Sequence, residues 1–298
     1  MNFRTDLAME LEQQHRSEGL TGVESEEWRA GQLSINRIRI TQEQAARRIG
    51  KPVGEYVTIT VPAFSDDVTA AHDEIEAMAE QIARLVGDDK GLVLVAGLGN
   101  VQITPDALGP KVIDGMLATR HIQGEVARAA GLEGLRPVAA IAPGVLGQTG
   151  VETGEIIAAI VRDIKPCCVI AVDALASRSL ERLGRTVQVA NSGISPGSGV
   201  ANARKELSRQ TLGVPVVSIG VPTVVDGVTL AGDLMTGRDG LDEDELRARF
   251  EPRGCAMMVT PREIDLLIRR AARVISLAIN RALQPAISLT DIAALSAP

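Results

Sequence analysis

Two kinds of segment alternate along most of the chain. Short runs that are apolar throughout are typical of strands buried on both faces of a sheet. Such runs occur at 91–99, 137–144, 167–175 and 214–222. Segments with apolar residues at helical spacing occur at 68–87, 110–122, 152–165, 199–207 and 261–284. The alternation predicts βαβ units, and therefore a three-layer α/β fold in which a mainly parallel sheet is flanked by helices.

The pattern is less regular near the N-terminus and before the last helix. The first ~30 residues are polar and acidic, which predicts an arm or a marginal helix. Residues 32–62 predict a strand, a short helix and a second strand, and residues 223–260 are rich in Gly and Asp and are expected to be an excursion from the sheet. Since no Ser/Gly linker interrupts the sequence, we expect a single domain with a decorated N-terminal region.

Composition and charge exclude several classes of function. The net charge is −7 without a stripe of Lys or Arg, and the only aromatic residues are one Trp, one Tyr and three Phe, so no nucleic acid is expected as a partner. No apolar run is long enough to span a bilayer, and none follows a basic start, so neither a membrane span nor a secretory signal is predicted. Three cysteines, two of them adjacent, fit a reducing cytoplasm.

Two aspartates lie where ligands gather in such folds, at the carboxyl ends of strands. Asp106 follows the first buried strand in "GLGNVQITPDALGP", and Asp173 ends another in "VIAVDAL". Each has a structural alternative, because an acid after Thr104-Pro105 suits the start of a helix and Asp173 could cap the next turn. A carboxylate at the end of an apolar strand is nevertheless costly unless it is paired or belongs to a site.

The surroundings of the two acids favour different protonation states. The dipole and free N–H groups of a helix start favour a charged Asp106, whereas burial on an apolar strand favours a protonated Asp173. Two carboxyl groups whose pKa values are separated in this way can divide the roles of general base and general acid. If they meet, they titrate as a coupled pair.

Other motifs carry weaker signals. "GLGNVQ" begins like a dinucleotide-binding fingerprint, but Gln102 occupies the place of the third small residue. The Gly/Ser loop 192–199 could bind an anion or a peptide carbonyl through its N–H groups, or be a structural turn. Asp226 is a third strand-end acid and a reserve candidate, and His121 suits a helix C-terminus. Since the three histidines lack metal-ligand spacing, neither a metal nor a cofactor is expected.

Several longer motifs resemble those of the germination proteases of spore-forming bacteria, over nearly the whole chain. They are "RTDLAMEL", "GLGNVQITPDALGP", "TRHI", "APGVLGQTGVETGEI", "VDALASR", "NSGISPGSGVANARKEL" and "VPTVVDG". The resemblance implies an atypical aspartic endopeptidase, made as a zymogen and assembled as a homotetramer, that degrades small acid-soluble spore proteins during germination. It also implies a location in the cytoplasm of the forespore, the later spore core, and a phosphorylase/hydrolase-like fold similar to that of hydrogenase-maturation endopeptidases.

The resemblance also assigns residues. The family's two catalytic aspartates match Asp106 and Asp173, which the strand-end argument reaches independently. Family substrates are cut after Glu within a Thr-Glu-(Ile/Phe)-Ala-Ser-Glu type of sequence, and residues 5–10, "TDLAME", are a relative of it. We therefore expect self-cleavage between Asp6 and Leu7.

This cleavage would divide the chain into a propeptide, residues 1–6, and a peptidase domain, residues 7–298. Six residues are few for an inhibitory segment. Inhibition is therefore expected to depend on how the segment docks rather than on its bulk.

The expected reaction is hydrolysis of a peptide bond by water, with Asp106 as the base and a protonated Asp173 as the acid. N–H groups of the glycine-rich loops at 97–100 or 193–199 are expected to stabilise the oxyanion. Two alternatives stay open. One is a metal-assisted maturation-type endopeptidase that uses the same acids as ligands, and the other is an α/β oxidoreductase that binds a dinucleotide near Gly97–Asn100.

Overall fold

The computed structural model describes residues 5–15, 19–122, 124–129, 132–195, 206–235 and 257–296. Within these residues, the strands are β1 (Val23–Ala30), β2 (Leu33–Ile40), β3 (Gly54–Thr60), β4 (Val93–Gly97), β5 (Val138–Ile141), β6 (Cys168–Ala176), β7 (Thr186–Ala190), β8 (Val216–Asp226) and β9 (Met258–Val259). The helices in the same ranges are α1 (Ala8–His15), α2 (Glu43–Ile49), α3 (His72–Val86), α4 (Leu108–Asp114), α5 (Gly124–Ala129), α6 (Leu146–Thr149), α7 (Thr153–Ile164), α8 (Arg209–Leu212), α9 (Gly227–Met235), α10 (Ile264–Leu283) and α11 (Leu289–Leu295).

The strands form one mixed sheet with the spatial order β1-β2-β3-β7-β8-β6-β4-β5, and β9 pairs with the end of β8. Strands β8, β6, β4 and β5 are parallel to one another. The other half of the sheet is antiparallel, as is its junction between β7 and β8. The α/β class is thus confirmed, and the predicted parallel arrangement applies to the β8-β6-β4-β5 half. Only Gly31 and Gln32 connect β1 to β2, and such a short connection requires an antiparallel pair.

Helices cover both faces of the sheet. On one face, α3, α4 and α10 pack on a large apolar cluster that includes Val95, Ile170 and Ile219. On the other face, α7 covers the parallel half, and α1 and α2 cover part of the antiparallel half. A cavity opens on this second face between the end of α2 and the start of α7. Among the described residues, no helix has both the length and the apolar character needed to cross a bilayer.

The predicted helix over 110–122 is wrong beyond Asp114, where α4 ends. Asn280 of α10 explains the end of the helix, because its Nδ2 donates to Gly115 O at 2.8 Å and its Oδ1 accepts from Leu117 N at 3.0 Å. These bonds hold the chain after Asp114 in a non-helical course. Since the partner lies on a distant helix, the local pattern gave no sign of it.

For the described part of the N-terminal region, the structure agrees with the predicted helix rather than with the predicted arm. It contains α1 and the highly charged strand β1, which lies at the sheet edge. Cross-strand ion pairs stabilise β1: Glu26 binds Arg37, and Glu24 binds Arg39 at 3.1 Å. The guanidinium of Arg37 also lies 5.3 Å from the centre of the Trp28 ring.

Two other predicted segments lie partly outside the described residues. For the helix predicted over 199–207, only Glu206 and Leu207 are described. In the excursion predicted over 223–260, β8 continues to Asp226 and α9 follows it directly, while residues 236–256 lie outside the described ranges.

Helix α4 crosses the sheet at very short range, which fixes the position of the segment just before it. A Cβ at Gly109 would lie 2.2 Å from Leu98 O and 2.5 Å from Val172 O, and a Cβ at Gly97 would lie 2.2 Å from Gly109 O. Only glycine fits at both positions, because the atoms that a side chain would meet are backbone atoms. The glycines of "GLGNVQITPDALGP" therefore have a packing role.

We predict that Gly109→Ala lowers the free energy of unfolding by about 1–3 kcal/mol, because the added methyl group overpacks the helix–sheet crossing. Urea unfolding followed by circular dichroism measures this. Gly147→Ala in α6 is the matched control, since a Cβ there has no atom within 4 Å. If both variants unfold at the same urea concentration, the crossing widens without cost and this interpretation is wrong.

Candidate active site

Asp106 ends a 3-10 turn, Thr104–Asp106, that lies between β4 and α4. Asp106 therefore does not open a helix itself, but the 3-10 turn that it ends leads directly into α4. Its Oδ2 accepts the N–H of Asn100 at 2.7 Å, and the adjacent carbonyl of Pro105 accepts the Thr223 hydroxyl at 2.8 Å. These bonds hold the half-buried carboxyl group at the carboxyl end of the parallel strands.

Asp173 lies inside β6 and not at its end, because β8 remains paired with β6 as far as Ala176. The prediction that Asp173 lies at a strand end is correct only with respect to β4, the strand that pairs with the other edge of β6. There β4 stops at Gly97, opposite Val172, so Asp173 is the first residue of β6 beyond β4. Its side chain is buried, and its Oδ1 accepts the N–H of Ala174 at 2.9 Å.

Both aspartates line the same cavity of about 480 Å³. Strand register explains the direction of Asp173. Gln188 of β7 pairs with Gly220 of β8, which pairs with Asp173 of β6, so these residues form one row and share a face of the sheet. Two strand spacings separate Gln188 from Asp173, which is about 10 Å between their Cα atoms.

The N-terminal segment forms part of the wall of this cavity, where Asp6 lines it. Asp6 N donates to Ala176 O at 2.9 Å, and Ala176 N donates to Asp6 Oδ2 at 2.8 Å. Asp6 is 8% exposed, and Leu7 and Ala8 are fully buried. The predicted cleavage point between Asp6 and Leu7 is therefore enclosed by protein and bound along the free edge of β6.

Gln188 binds the backbone on both sides of Leu7. Its Nε2 donates to the carbonyl oxygen of Asp6 at 3.1 Å, and its Oε1 accepts the N–H of Ala8 at 2.8 Å. The N–H of Leu7 donates to Thr5 Oγ1 at 3.0 Å. The sequence analysis did not identify Gln188, although an amide at the centre of the otherwise apolar strand "TVQVA" is a signal of a buried polar contact.

Lys51 adds a cationic group to the lining of the cavity. Burial lowers the pKa of the Lys51 ammonium, and the nearby carboxylate of Asp6 partly offsets this effect. The sequence analysis missed this residue as well, because a lysine after a short helix is ordinarily a surface residue.

The remaining predicted site features lie in different places: Leu98, Gly99 and residues 192–195 line the cavity, whereas Asp226 and His121 do not. In the 97–100 loop, Leu98 N donates to Val172 O at 2.7 Å and Asn100 N donates to Asp106, so these groups serve internal bonds. Asp226 caps α9 by accepting the N–H of Thr229 at 2.6 Å, and it does not line the cavity. Exposed His121 lies in a turn because α4 ends earlier than predicted. Of the loop 193–199, the structure describes residues 193–195.

The described part of the structure adds no ligand group for the metal alternative and no open glycine for the dinucleotide alternative. Within the described ranges, no three His, Cys, Asp or Glu side chains form a group suited to a metal ion. Gly97 and Gly99 are packed against Gly109 O and Asp106 O, at 2.2 and 2.0 Å from their would-be Cβ positions. In a dinucleotide fingerprint, one such glycine must instead leave space for the pyrophosphate.

Comparison with known proteins places the chain in a class. A family model described as Germination protease matches residues 4–237. The germination protease of Clostridium tetani is 42% identical, over 98% of each chain, and that of Bacillus cereus is 36% identical, over 95% of this chain and 94% of the relative. The chain is thus a protease. More narrowly, it belongs to the germination protease family, which confirms the resemblance seen in its motifs.

A solved structure, the [NiFe] hydrogenase maturation protease HycI from Thermococcus kodakarensis, also resembles the chain. It is 17% identical and covers 67% of this chain and 98% of its own, with a TM-score of 0.36.

We predict that Gln188→Leu loosens the N-terminal segment of the uncleaved chain, because both bonds to the backbone around Leu7 are lost. The amide protons of Asp6 and Ala8 should then exchange with solvent roughly tenfold faster, as expected for about 1.4 kcal/mol of lost hydrogen bonding. Hydrogen–deuterium exchange read by mass spectrometry measures this. Gln210→Leu, at an exposed position of α8, is the control and should leave these amides unchanged. Equal protection in all three proteins would show that Gln188 does not hold the segment.

Proposed function

We propose that this protease is a self-processing endopeptidase of spore germination, with Asp106 and Asp173 as its catalytic pair and the Asp6–Leu7 bond as its first substrate. One observation carries the proposal. The Asp6–Leu7 bond is buried against the cavity that both aspartates line, and its carbonyl oxygen accepts a hydrogen bond from Gln188. The segment is thus bound in the manner of a substrate.

In the proposed reaction, water attacks the carbonyl carbon of Asp6. Asp106 takes the proton that the water loses, and the new C–O bond converts the carbonyl into an oxyanion. Gln188 Nε2 donates to this oxygen, the role expected earlier for the glycine-rich loops. Protonated Asp173 then gives its proton to the nitrogen of Leu7 as the C–N bond breaks. The immediate products are a carboxylic acid on Asp6 and an amine on Leu7, and the proton on Asp106 replaces the one that Asp173 gave. Transfer of the acid's proton to the amine then leaves a carboxylate and an ammonium.

The docked segment supports the zymogen part of the proposal. Residues 5–8 occupy the edge of β6 and the space over Gln188, so another peptide cannot bind there while they remain. Inhibition then depends on backbone bonds and buried side chains rather than on the length of the segment. Removal of residues 1–6 would free the edge of β6 that Asp6 occupies, so a propeptide of six residues is sufficient to block that edge.

The family resemblance supports the rest of the proposal. The substrates are small acid-soluble spore proteins, and the enzyme works as a homotetramer in the spore core. Germination proteases are named for the stage at which they act. Analytical ultracentrifugation of the purified chain checks the tetramer directly.

We predict that the purified chain, held at mildly acidic pH, loses residues 1–6 over time. Asp106→Asn and Asp173→Asn should each slow this loss at least about a hundredfold, because an amide can neither accept nor donate the required proton. Intact-mass spectrometry over a time course measures the loss and identifies the cut bond.

Asp226→Asn is the matched control for these two variants, since an asparagine oxygen can still cap α9. It should process at the wild-type rate. Near-wild-type processing by Asp106→Asn or Asp173→Asn would contradict the catalytic pair. A wild-type chain that stays whole but cuts a synthetic peptide of residues 1–15 would retire only the self-processing part.

The metal-assisted alternative makes the opposite prediction about chelators. A reaction driven by two carboxyl groups should proceed at an unchanged rate after dialysis against EDTA, whereas a metal-dependent peptidase should lose activity and regain it when zinc or magnesium is added. The same time course of processing measures both. Loss with rescue would replace the two-aspartate mechanism by the metal-assisted one.

A further inference from the structure

The pairing of β6 with β8 contains a β-bulge beside the candidate active site. Pro222 of β8 pairs with Leu175 of β6. The next pair is Val224 with Ala176, so Thr223 is an extra residue on β8. Bulges change the direction of the side chains that they carry, and they are common next to active sites. Thr223 is buried in the wall of the cavity that both aspartates line.

The hydroxyl group of Thr223 binds the turn that carries Asp106. It donates to Pro105 O at 2.8 Å, and Asp106 N donates to Ile103 O at 2.8 Å. The peptide group between Pro105 and Asp106 is therefore held at both its oxygen and its nitrogen. Since Asn100 N also donates to the carboxyl group of Asp106 at 2.7 Å, the backbone and the side chain of this residue are fixed by separate bonds.

The bulge is also held from its other side. The hydroxyl of Thr260, which follows β9, donates to Thr223 O at 2.9 Å, and β9 pairs with the end of β8. On β6, the residue beside the bulge is Ala176, which binds Asp6 through both of its backbone groups. Thr223 therefore connects the strand edge that holds the N-terminal segment with the turn that holds Asp106.

We propose that Thr223 is a positioning residue for the reaction, because its hydroxyl group keeps Asp106 at a fixed place relative to the peptide bound on β6. The inference rests on the proposed function, which assigns Asp106 as the base. Thr223 itself neither gives nor takes a proton. Without its hydroxyl the turn is free to shift, and a shift of about 1 Å at a reacting group can lower a rate about a hundredfold. The bonds of the segment to Ala176 and Gln188 do not involve Thr223, so binding of the segment should persist.

The test compares Thr223→Val, which removes the hydroxyl but keeps the branched shape, with Thr223→Ser, which keeps the hydroxyl. Loss of residues 1–6 from the full chain, followed by intact-mass spectrometry, measures the reaction. Hydrogen–deuterium exchange at the amides of Asp6 and Ala8 measures binding of the segment. We expect Thr223→Val to process about 10- to 100-fold more slowly with unchanged exchange, and Thr223→Ser to process within about threefold of the wild-type rate.

Thr119→Val is the matched control, since it removes another buried threonine hydroxyl, which donates to Arg136 O at 2.6 Å outside the cavity. It should process within about twofold of the wild-type rate, because a loss of stability alone does not move Asp106. Equal slowing in Thr119→Val and Thr223→Val would contradict the inference. If urea unfolding shows that Thr223→Val is not folded, Thr260→Val takes its place, because it loosens the bulge from the other side. We then expect processing about 3- to 10-fold slower, and a wild-type rate would overturn the inference.

Other outcomes separate the inference from the proposed function. A wild-type rate in Thr223→Val, or equal slowing in Thr223→Val and Thr223→Ser, would show that the hydroxyl does not position Asp106. Faster exchange at Asp6 and Ala8 in Thr223→Val would show that Thr223 holds the segment instead. Each of these results overturns the inference and leaves the proposed function intact. A wild-type chain that cuts neither itself nor a synthetic peptide of residues 1–15 would overturn both. If it cuts only the peptide, kcat for the peptide replaces the processing rate in the same comparison.

Discussion

The site depends on a difference in length between two neighbouring strands. β4 stops at Gly97, opposite Val172, whereas β6 continues to Ala176 with β8 still paired on its other side. Within the described residues, the backbone groups on one edge of β6 beyond Val172 therefore have no strand partner, and a peptide can pair with them there. Burial of such groups without partners would be costly, and Asp6 satisfies Ala176 in both directions.

The cavity itself follows from how the helices divide the second face of the sheet. α7 packs over the parallel half and α2 with α1 over the antiparallel half. The row that contains Gln188, Gly220 and Asp173 lies between them, and the start of α1 reaches it at Gln188. The first face is closed by contrast, with α4 pressed against β4 through two glycines. The closed layer on one face holds β6 in position, and the interrupted layer on the other face leaves one side of β6 open to the cavity.

Much of this arrangement could be predicted from the sequence, because its signals are local. The apolar runs identify the parallel strands, helical spacing identifies α3, α7 and α10, and an acid beside an apolar run directs attention to Asp106 and Asp173. The class and family follow from motifs of the same local kind. What could not be predicted depends on partners far along the chain. The end of α4 is determined by Asn280, 165 residues beyond Gly115, and the role of Gln188 by a contact with Ala8, 180 residues away.

Hydrolysis of the Asp6–Leu7 bond would change the charge of the docked segment. A neutral peptide group would become a carboxylate and an ammonium, and the ammonium would stand on Leu7, which is fully buried. Both charges are far better solvated by water than by an apolar cavity. The bonds to Ala176 would leave with Asp6, whereas residues 7–15 would keep the bonds of Ala8 to Gln188, of Glu10 to residues 178–182 and of Gln13 to Arg182. Cleavage would therefore weaken the binding of both new chain ends at the cavity. The N-terminal segment would then be an inhibitor that acts once, because the charges formed by cleavage favour its release into water.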